Sequence, residues 1–142
     1  MAKLTFHGGV HPYDGKDLSK DKPMKTIVPQ GEMVYPLSQH IGAPAVPMVK
    51  KGDRVLVGQK IAEAGGFVSA PIYATVSGTV KTIEPRRVVT GDLVNSIIVD
   101  NDKLFEEVNF TPHDAAKLNK KEIIELIQEA GIVGMGGAGF PT

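Results

Sequence analysis

Cysteine is absent from the 142 residues of this sequence. Without a thiol, these residues can form no disulfide, no thiolate nucleophile and no cysteine-bound iron–sulfur cluster of their own. The redox compartment stays undetermined, because cysteine usage is the feature of a sequence that would indicate it.

The sequence also has no excess of either charge, since 16 basic residues balance 16 acidic ones. A chain with no overall charge has no field that would draw it onto nucleic acid or an anionic bilayer. No stretch approaches the ~20 apolar residues that span a membrane, and the first residues contain no apolar signal-peptide core. We therefore expect no nucleic-acid partner and no direct membrane insertion. The chain should be soluble and cytoplasmic, with any membrane association made through a partner.

Glycine and proline, by contrast, are plentiful, with 16 and 10 copies, while aromatic residues make up only 6%. Between residues 26 and 100 they separate short runs rich in β-branched residues, which is typical of many short strands joined by tight turns. We predict an irregular lead-in over residues 1–25, a β-domain over residues 26–110, and a C-terminal part over residues 111–142.

A short repeat lies within the predicted β-domain, where residues 51–55 and residues 90–94 both read x-Gly-Asp-x-Val. The repeat predicts two equivalent halves, each with glycine at the positive φ of a tight turn and aspartate bonding nearby amides. The valine would begin a strand facing the core. A repeat this short also arises by chance. We interpret Asp53 and Asp92 as turn acids rather than as an acid–base pair.

Other local patterns predict particular elements. Small or apolar residues alternate with polar ones over 74–80, which predicts a half-buried strand with a close backbone approach or bulge at Gly78. Residues 111–114 read as a helix start, with a capping hydroxyl, a proline at the first helical position and an acid in the first turn. Residues 119–122 form a second start, a capping-box variant. It opens a helix over about residues 120–130, which Gly131 would end. One face of this helix carries the apolar residues Ile123, Ile124, Ile127 and Ala130.

The last twelve residues are rich in glycine, which occupies positions 131, 134, 136, 137 and 139. Bare backbone of this kind can point several N–H groups at an anion and lets a flat cofactor lie close, so the pattern predicts nucleotide binding. The alternative is a flexible linker. Linkers favour serine and charge, whereas this run is interleaved with the apolar residues Ile132, Val133, Met135 and Phe140.

Residues 134–142 resemble the G-x-G-G-A-G-F-P-T loop of the NADH- and FMN-binding flavoprotein subunits of respiratory complex I and of the RnfC family. The resemblance implies a flavin lined by Gly134, Gly136, Gly137, Ala138 and Gly139. It also implies that Phe140 contacts NADH. Complex I members usually carry arginines where this chain has Val133 and Met135, a departure that favours RnfC.

Residues 49–62, followed by residues 70–71 and 77–80, resemble the biotinyl/lipoyl-type barrel-sandwich hybrid domain, which is built from two related halves. A carrier domain of this class needs a lysine at its hairpin tip for the prosthetic group. The corresponding residues 64–69 contain none, and Lys60 and Lys81 lie before and after that tip. A prosthetic-group carrier is therefore not expected.

The RnfC family also has a hybrid domain before its NADH-binding domain, and residues 5–12 and 36–44 are similar to the start of that family. The resemblance implies a mainly β fold: a hybrid domain, then a helix and the truncated start of an α/β NADH/FMN-binding domain. The chain would be the N-terminal piece of the subunit. Alone it would be structural and bind FMN or NADH weakly if at all, so no cofactor is expected bound to it.

The whole subunit, by the same resemblance, would exchange electrons between NADH, through FMN, and 4Fe-4S clusters held by cysteines beyond residue 142. It would lie at the cytoplasmic side of the cell membrane as a peripheral part of the Rnf complex, with other Rnf subunits and, through the complex, ferredoxin as partners. Two alternatives stay open. One is the A subunit of the sodium-translocating NADH:quinone reductase, against which the glycine loop argues. The other is a non-enzymatic binding module.

The histidines are His7, His11, His40 and His113. We predict no metal site and no catalytic residue among them, because the glycines and proline around His7 and His11 prevent a helix that would align the two rings. Gln39 and His40 are predicted to cap or pack a strand turn.

Overall fold

A computed structural model describes residue 10 and residues 12–142 of the chain. This part contains seven β-strands, two short 3-10 helices and one α-helix. The strands are β1 (Met33–Pro36), β2 (Val46–Pro47), β3 (Arg54–Val55), β4 (Lys60–Glu63), β5 (Ile72–Tyr73), β6 (Gly78–Arg87) and β7 (Leu93–Asn101). The 3-10 helices span Lys16–Leu18 and Ala115–Lys117, and the α-helix, α1, spans Lys120–Glu129. Within these residues no helix has the length and apolar character needed to cross a bilayer.

The strands form two antiparallel sheets. A four-stranded sheet has the order β1-β7-β6-β3, and a three-stranded sheet has the order β2-β4-β5. The long β6–β7 hairpin is rich in β-branched residues, which suit a pleated, half-buried surface. Its residues Val80, Ile97 and Val99 belong to the core together with Val55, Ile61 and Val76 of neighbouring segments. The mainly β prediction is thereby confirmed.

The two x-Gly-Asp-x-Val turns have closely similar backbones, since φ is 94° at Gly52 and 93° at Gly91. Asp53 Oδ2 accepts the Lys50 N–H at 2.9 Å, and Asp92 Oδ2 accepts the Thr90 hydroxyl at 2.7 Å. Both aspartates are turn acids, as predicted. The burial of the following valines differs, because Val55 is fully buried whereas Val94 is half-buried.

The strand predicted over residues 74–80 is wrong in its first half, because β6 begins only at Gly78. The chain leaves the three-stranded sheet after Tyr73 and enters the four-stranded sheet at Gly78. Between them the Ala74 N–H bonds Gln59 O and the Thr75 N–H bonds the Tyr35 hydroxyl, both at 2.9 Å. The close approach predicted at Gly78 is confirmed, since a Cβ there would overlap the carbonyl oxygen of Asp100.

The helix predicted over residues 120–130 is confirmed as α1, with both hydrogen bonds of the Asn119–Glu122 capping box formed. Gly131 follows it with a φ of 66°. The start predicted at residues 111–114 is wrong, because those residues are not helical. Asp114 is itself the cap: its side chain accepts the Ala116 N–H and initiates only a three-residue 3-10 turn.

Residues 12–32 precede β1 and contain one described 3-10 turn. The similarity over residues 5–12 and the interpretation of His7 and His11 fall largely on residues 1–9 and 11, which lie outside the described part of the chain. The domain boundaries at residues 25 and 110 stay a prediction.

Candidate functional site

The glycine-rich segment folds as a small hairpin, here called the glycine hairpin (residues 132–142). Its two arms are joined by the Thr142 N–H to Ile132 O bond of 3.0 Å and the Gly134 N–H to Phe140 O bond of 2.8 Å. The turn closes where the Gly139 N–H donates to Gly136 O at 3.2 Å. All six predicted site residues therefore lie on one hairpin.

The two sides of the turn differ in how closely they are packed. At Gly139, φ is 62°, and an added Cβ would lie 3.3 Å from Gly134 O and 3.4 Å from Gln39 O. At Gly136 and Gly137 a Cβ would meet nothing within 4 Å. Among the described residues, the N–H groups of Met135, Gly136 and Gly137 have no hydrogen-bond acceptor. The turn thus has one packed side and one side with open backbone.

The predicted flavin and NADH residues line different cavities. Ala138 lines a groove of about 660 Å³ together with residues of β1, of the 38–41 segment and of the β6–β7 turn. Phe140 lines a cleft of about 230 Å³ whose opposite wall includes Phe67. Phe140 is 59% exposed and Phe67 fully exposed. The glycine hairpin therefore contributes to a larger groove and to a smaller cleft that contains two aromatic rings.

The hybrid-like domain supports the packed side of the hairpin through residues 39–41. The Ile41 N–H donates to Ala138 O at 3.3 Å. Gln39 Nε2 donates to Pro36 O at 2.9 Å and so caps the end of β1. The His40 ring bonds two backbone groups, Ile41 O through Nδ1 and the Ala70 N–H through Nε2. The predicted turn role of Gln39 and His40 is confirmed. Their contact with the glycine hairpin was not predicted, because no local pattern links two segments so far apart in sequence.

A carrier domain would have its lysine at a hairpin tip, which in this chain is the segment between β4 and β5. Phe67 is exposed in this segment. Lys60 in β4 and Lys81 in β6 lie outside this tip, as predicted, and each forms an ion pair. The Glu129 carboxylate pairs with Lys60 and raises the pKa of that ammonium, and the Glu32 carboxylate does the same for Lys81.

A polar cluster fastens the segment after β7 to the sheets. The Ser77 hydroxyl donates to Asp102 Oδ1 at 2.6 Å, and Arg54 reaches Asp102 Oδ2 at 2.8 Å and Glu106 Oε2 at 2.7 Å. The hydrogen bonds from Ser77 and from the Leu104 N–H, followed by the Arg54 charge, lower the pKa of Asp102. The cluster determines where the chain departs toward α1.

Helix α1 contacts the β-domain with its C-terminal end. The Tyr73 hydroxyl donates to Glu129 O, Lys60 pairs with the Glu129 carboxylate, and Leu126 lines the cavity between them and Phe110. Burial raises the pKa of Tyr73. Of the predicted apolar face, Ala130 also lines that cavity, whereas Ile123, Ile124 and Ile127 are 38–47% exposed.

Residues 4–104, more than two thirds of the sequence, match the family model described as the RnfC barrel sandwich hybrid domain. The chain belongs to this family. The RnfC hybrid domain accounts for the two sheets, and the glycine hairpin lies C-terminal to the matched residues.

Curated relatives extend the similarity over almost the whole chain. The chain is 40% identical over 140 residues to the C subunit of the Na⁺-translocating ferredoxin:NAD⁺ oxidoreductase complex of Acetobacterium woodii, covering 97% of the chain and 32% of the relative. It is 42% identical over 140 residues to the proton-translocating counterpart of Clostridium ljungdahlii, covering 97% and 31%. For the C subunit of the ion-translocating oxidoreductase complex of Vibrio cholerae the identity is 41%, covering 96% and 18%. The chain thus spans about a third or less of these relatives, whose names imply redox chemistry in a multi-subunit complex.

Proposed function

We propose that this chain is part of an electron-transfer subunit that exchanges electrons between NADH, through FMN, and iron–sulfur clusters. The subunit would belong to a membrane ferredoxin:NAD⁺ oxidoreductase coupled to ion translocation. The observation that carries the proposal is the 40–42% identity to the C subunits of such complexes over 140 residues, a span long enough to include most of the glycine hairpin. The relatives' names supply ferredoxin, NAD⁺ and ion translocation, and the motif resemblance supplies FMN.

The open side of the glycine hairpin fits one face of a flavin. Gly136 and Gly137 present no side chain, so a flat ring can approach the backbone, and the unpaired N–H groups of residues 135–137 suit a phosphate or a flavin carbonyl. When bound, FMN would accept a hydride from NADH and release electrons singly. Gly134, Gly136, Gly137, Ala138 and Gly139 would line the flavin, and the exposed Phe140 would contact NADH.

The iron–sulfur clusters would be held outside these residues, because the sequence contains no cysteine. The role of the hybrid domain is then to support the hairpin and to meet neighbouring subunits. We place the subunit at the cytoplasmic side of the membrane, attached through other Rnf subunits.

The flavin assignment is tested in the intact subunit that carries this chain, by measuring bound FMN and NADH oxidation with an artificial electron acceptor. Gly136→Val should fold, because a Cβ there meets nothing within 4 Å, yet it places methyl groups where the ring would lie. We expect it to weaken FMN binding by at least about tenfold. Gly31→Val is the matched control, since Gly31 is equally open and lies before β1. Wild-type subunit without flavin, or Gly136→Val with unchanged affinity, would contradict the assignment.

The isolated 142-residue chain should bind NADH and FMN weakly, because the glycine hairpin supplies only one wall of a site. Isothermal titration checks this expectation. Micromolar NADH affinity would overturn it.

A binding module without a cofactor role is the second candidate. The fully exposed Phe67 at the hybrid-domain tip favours it, since an exposed aromatic ring is a common anchor of a protein interface. Capture of Rnf membrane subunits by this chain, lost in Phe67→Ser, would support docking. Failure to capture any would count against it.

A further inference from the structure

The glycine hairpin shares a cleft with residues 67–70 of the hybrid domain and is hydrogen-bonded to that domain at residues 39–41. There the Ile41 N–H donates to Ala138 O at 3.3 Å, and Gly139 approaches so closely that an added Cβ would lie 3.4 Å from Gln39 O and 3.6 Å from His40 Cα. The hairpin's packed side thus rests directly on backbone of the 39–41 segment. Any shift of that segment moves Ala138 and Gly139 with it.

His40 fixes the position of this segment by two hydrogen bonds. Its Nε2 accepts the Ala70 N–H at 3.2 Å, and its Nδ1 lies 2.8 Å from Ile41 O. Since the Ala70 N–H donates to Nε2, Nδ1 is the ring atom that donates to Ile41 O. The imidazole therefore ties the 39–41 segment to Ala70, which lies two residues before β5 and lines the same cleft as Phe140.

We propose that His40 is the positioning residue of the flavin loop: it holds residues 39–41 against Ala70 so that the glycine hairpin presents its open side to the cofactor. This inference rests on the proposed flavin role of the hairpin. It also gives the hybrid domain, which lacks a carrier lysine, a specific task in the subunit. In this proposal His40 positions the hairpin and takes no part in electron transfer.

Two substitutions separate the two hydrogen bonds of the imidazole. His40→Gln places an amide oxygen near the position of Nε2 and can still accept the Ala70 N–H. His40→Asn is shorter, keeps a donor for Ile41 O and loses the bond to Ala70. Tyr35→Phe is the matched control, because it removes the acceptor of the Thr75 N–H, a bond of 2.9 Å within the same domain that involves no hairpin residue.

The first measurement is amide hydrogen exchange of residues 132–142 in the 142-residue chain, which requires no flavin. We expect His40→Asn to speed exchange of the hairpin by about 3- to 10-fold, the range that one lost hydrogen bond produces. His40→Gln and Tyr35→Phe should leave it near the wild-type rate. Equal rates in all four proteins would overturn the proposal, as would equal acceleration by His40→Asn and Tyr35→Phe.

The second measurement is the FMN dissociation constant of the intact subunit. His40→Asn should raise it by about 3- to 10-fold, and His40→Gln should restore it to within about twofold. If His40→Asn loosens the hairpin but leaves the dissociation constant unchanged, His40 does not position the flavin loop and the inference fails. A wild-type subunit that binds no flavin overturns the proposed function instead, and the exchange measurement then still decides whether His40 holds the hairpin.

Discussion

At the scale of single residues, Ser77 shows how a small side chain can organise a long loop. Its side chain is fully buried, donates to Asp102 and accepts the Glu106 N–H at 3.1 Å. The alternation over residues 74–80 indicated a polar residue in a strand facing outward. The structure instead turns Ser77 inward, because the chain changes sheets at this point and the loop after β7 comes back over it.

Ser77→Ala should lower the free energy of unfolding by about 1–3 kcal/mol, since it removes one donor from Asp102 Oδ1 and leaves the Glu106 N–H without an acceptor in a part-buried place. Urea unfolding measures the change. Ser96→Ala is the control, because Ser96 is equally buried but bonds only Val94 O, two residues away. If Ser77→Ala lowers the free energy of unfolding by no more than Ser96→Ala does, the polar cluster contributes nothing to stability.

Asp102 should make stability depend on acid pH. Hydrogen bonds from Ser77 and the Leu104 N–H, with the Arg54 charge, lower its pKa in the folded chain below its ordinary value of 3.8. The stabilisation is therefore full above the unfolded-state pKa and is lost as pH falls through the lower folded-state pKa. Unfolding free energies between about pH 2 and pH 6 should fall less steeply with acid in Asp102→Asn than in wild type. Lys81 lowers the pKa of Glu32 in the same direction. Some dependence of the unfolding free energy on pH therefore remains in Asp102→Asn.

At the scale of elements, the local rules of helix capping and tight turns predicted the start of α1 and two turns, but they also predicted a helix start at residues 111–114 that is wrong. The Asn119–Glu122 capping box and the turns at Gly52 and Gly91 were visible in the sequence because each involves neighbours within a few residues. The strand over residues 74–80 was predicted too long, since alternation shows which residues are buried but not to which sheet a strand belongs.

Gly78→Ala should be among the costlier single substitutions in the β-domain. A Cβ at this position would overlap the Asp100 carbonyl oxygen across the β6–β7 pair, and neither backbone can give way without disrupting the ladder. We expect a loss of more than about 3 kcal/mol in the free energy of unfolding, measured by chemical denaturation. Gly52→Ala is the comparison, because Gly52 has a φ of 94° and open space around it, so only about 1 kcal/mol of backbone strain applies. Equal costs would argue against the close approach.

At the scale of the whole molecule, α1 and the glycine hairpin are placed by contacts with the hybrid domain at two points, the Lys60–Tyr73–Glu129 group and residues 39–41. Ile123, Ile124 and Ile127 are 38–47% exposed and form neither of these contacts. The amphipathic pattern grouped them on one face with Ala130, which does line the cavity beside Tyr73, but it could not give the part of the β-domain on which the helix packs.

Tyr73→Phe removes the hydroxyl that holds the last turn of α1 and should loosen the helix without affecting the sheets. We expect amide exchange in α1 to accelerate by about 3- to 10-fold, while exchange in β6 and β7 stays unchanged. Mass spectrometry of exchanged peptides resolves the two regions. Unchanged exchange in α1, or acceleration throughout the chain, would contradict a local tether.

The sequence by itself determined the features that depend on near neighbours or on a specific run of residue types: the capping box of α1, the turns at Gly52 and Gly91, the missing carrier lysine and the likeness to the RnfC family. The tertiary structure alone decided where the chain changes sheets, on which part of the β-domain α1 packs, and that Gln39, His40 and Ile41 support Ala138 and Gly139. These features arise from contacts between segments far apart in the chain, whose energies depend on packing and hydrogen bonding across the fold. No local spacing rule contains that information.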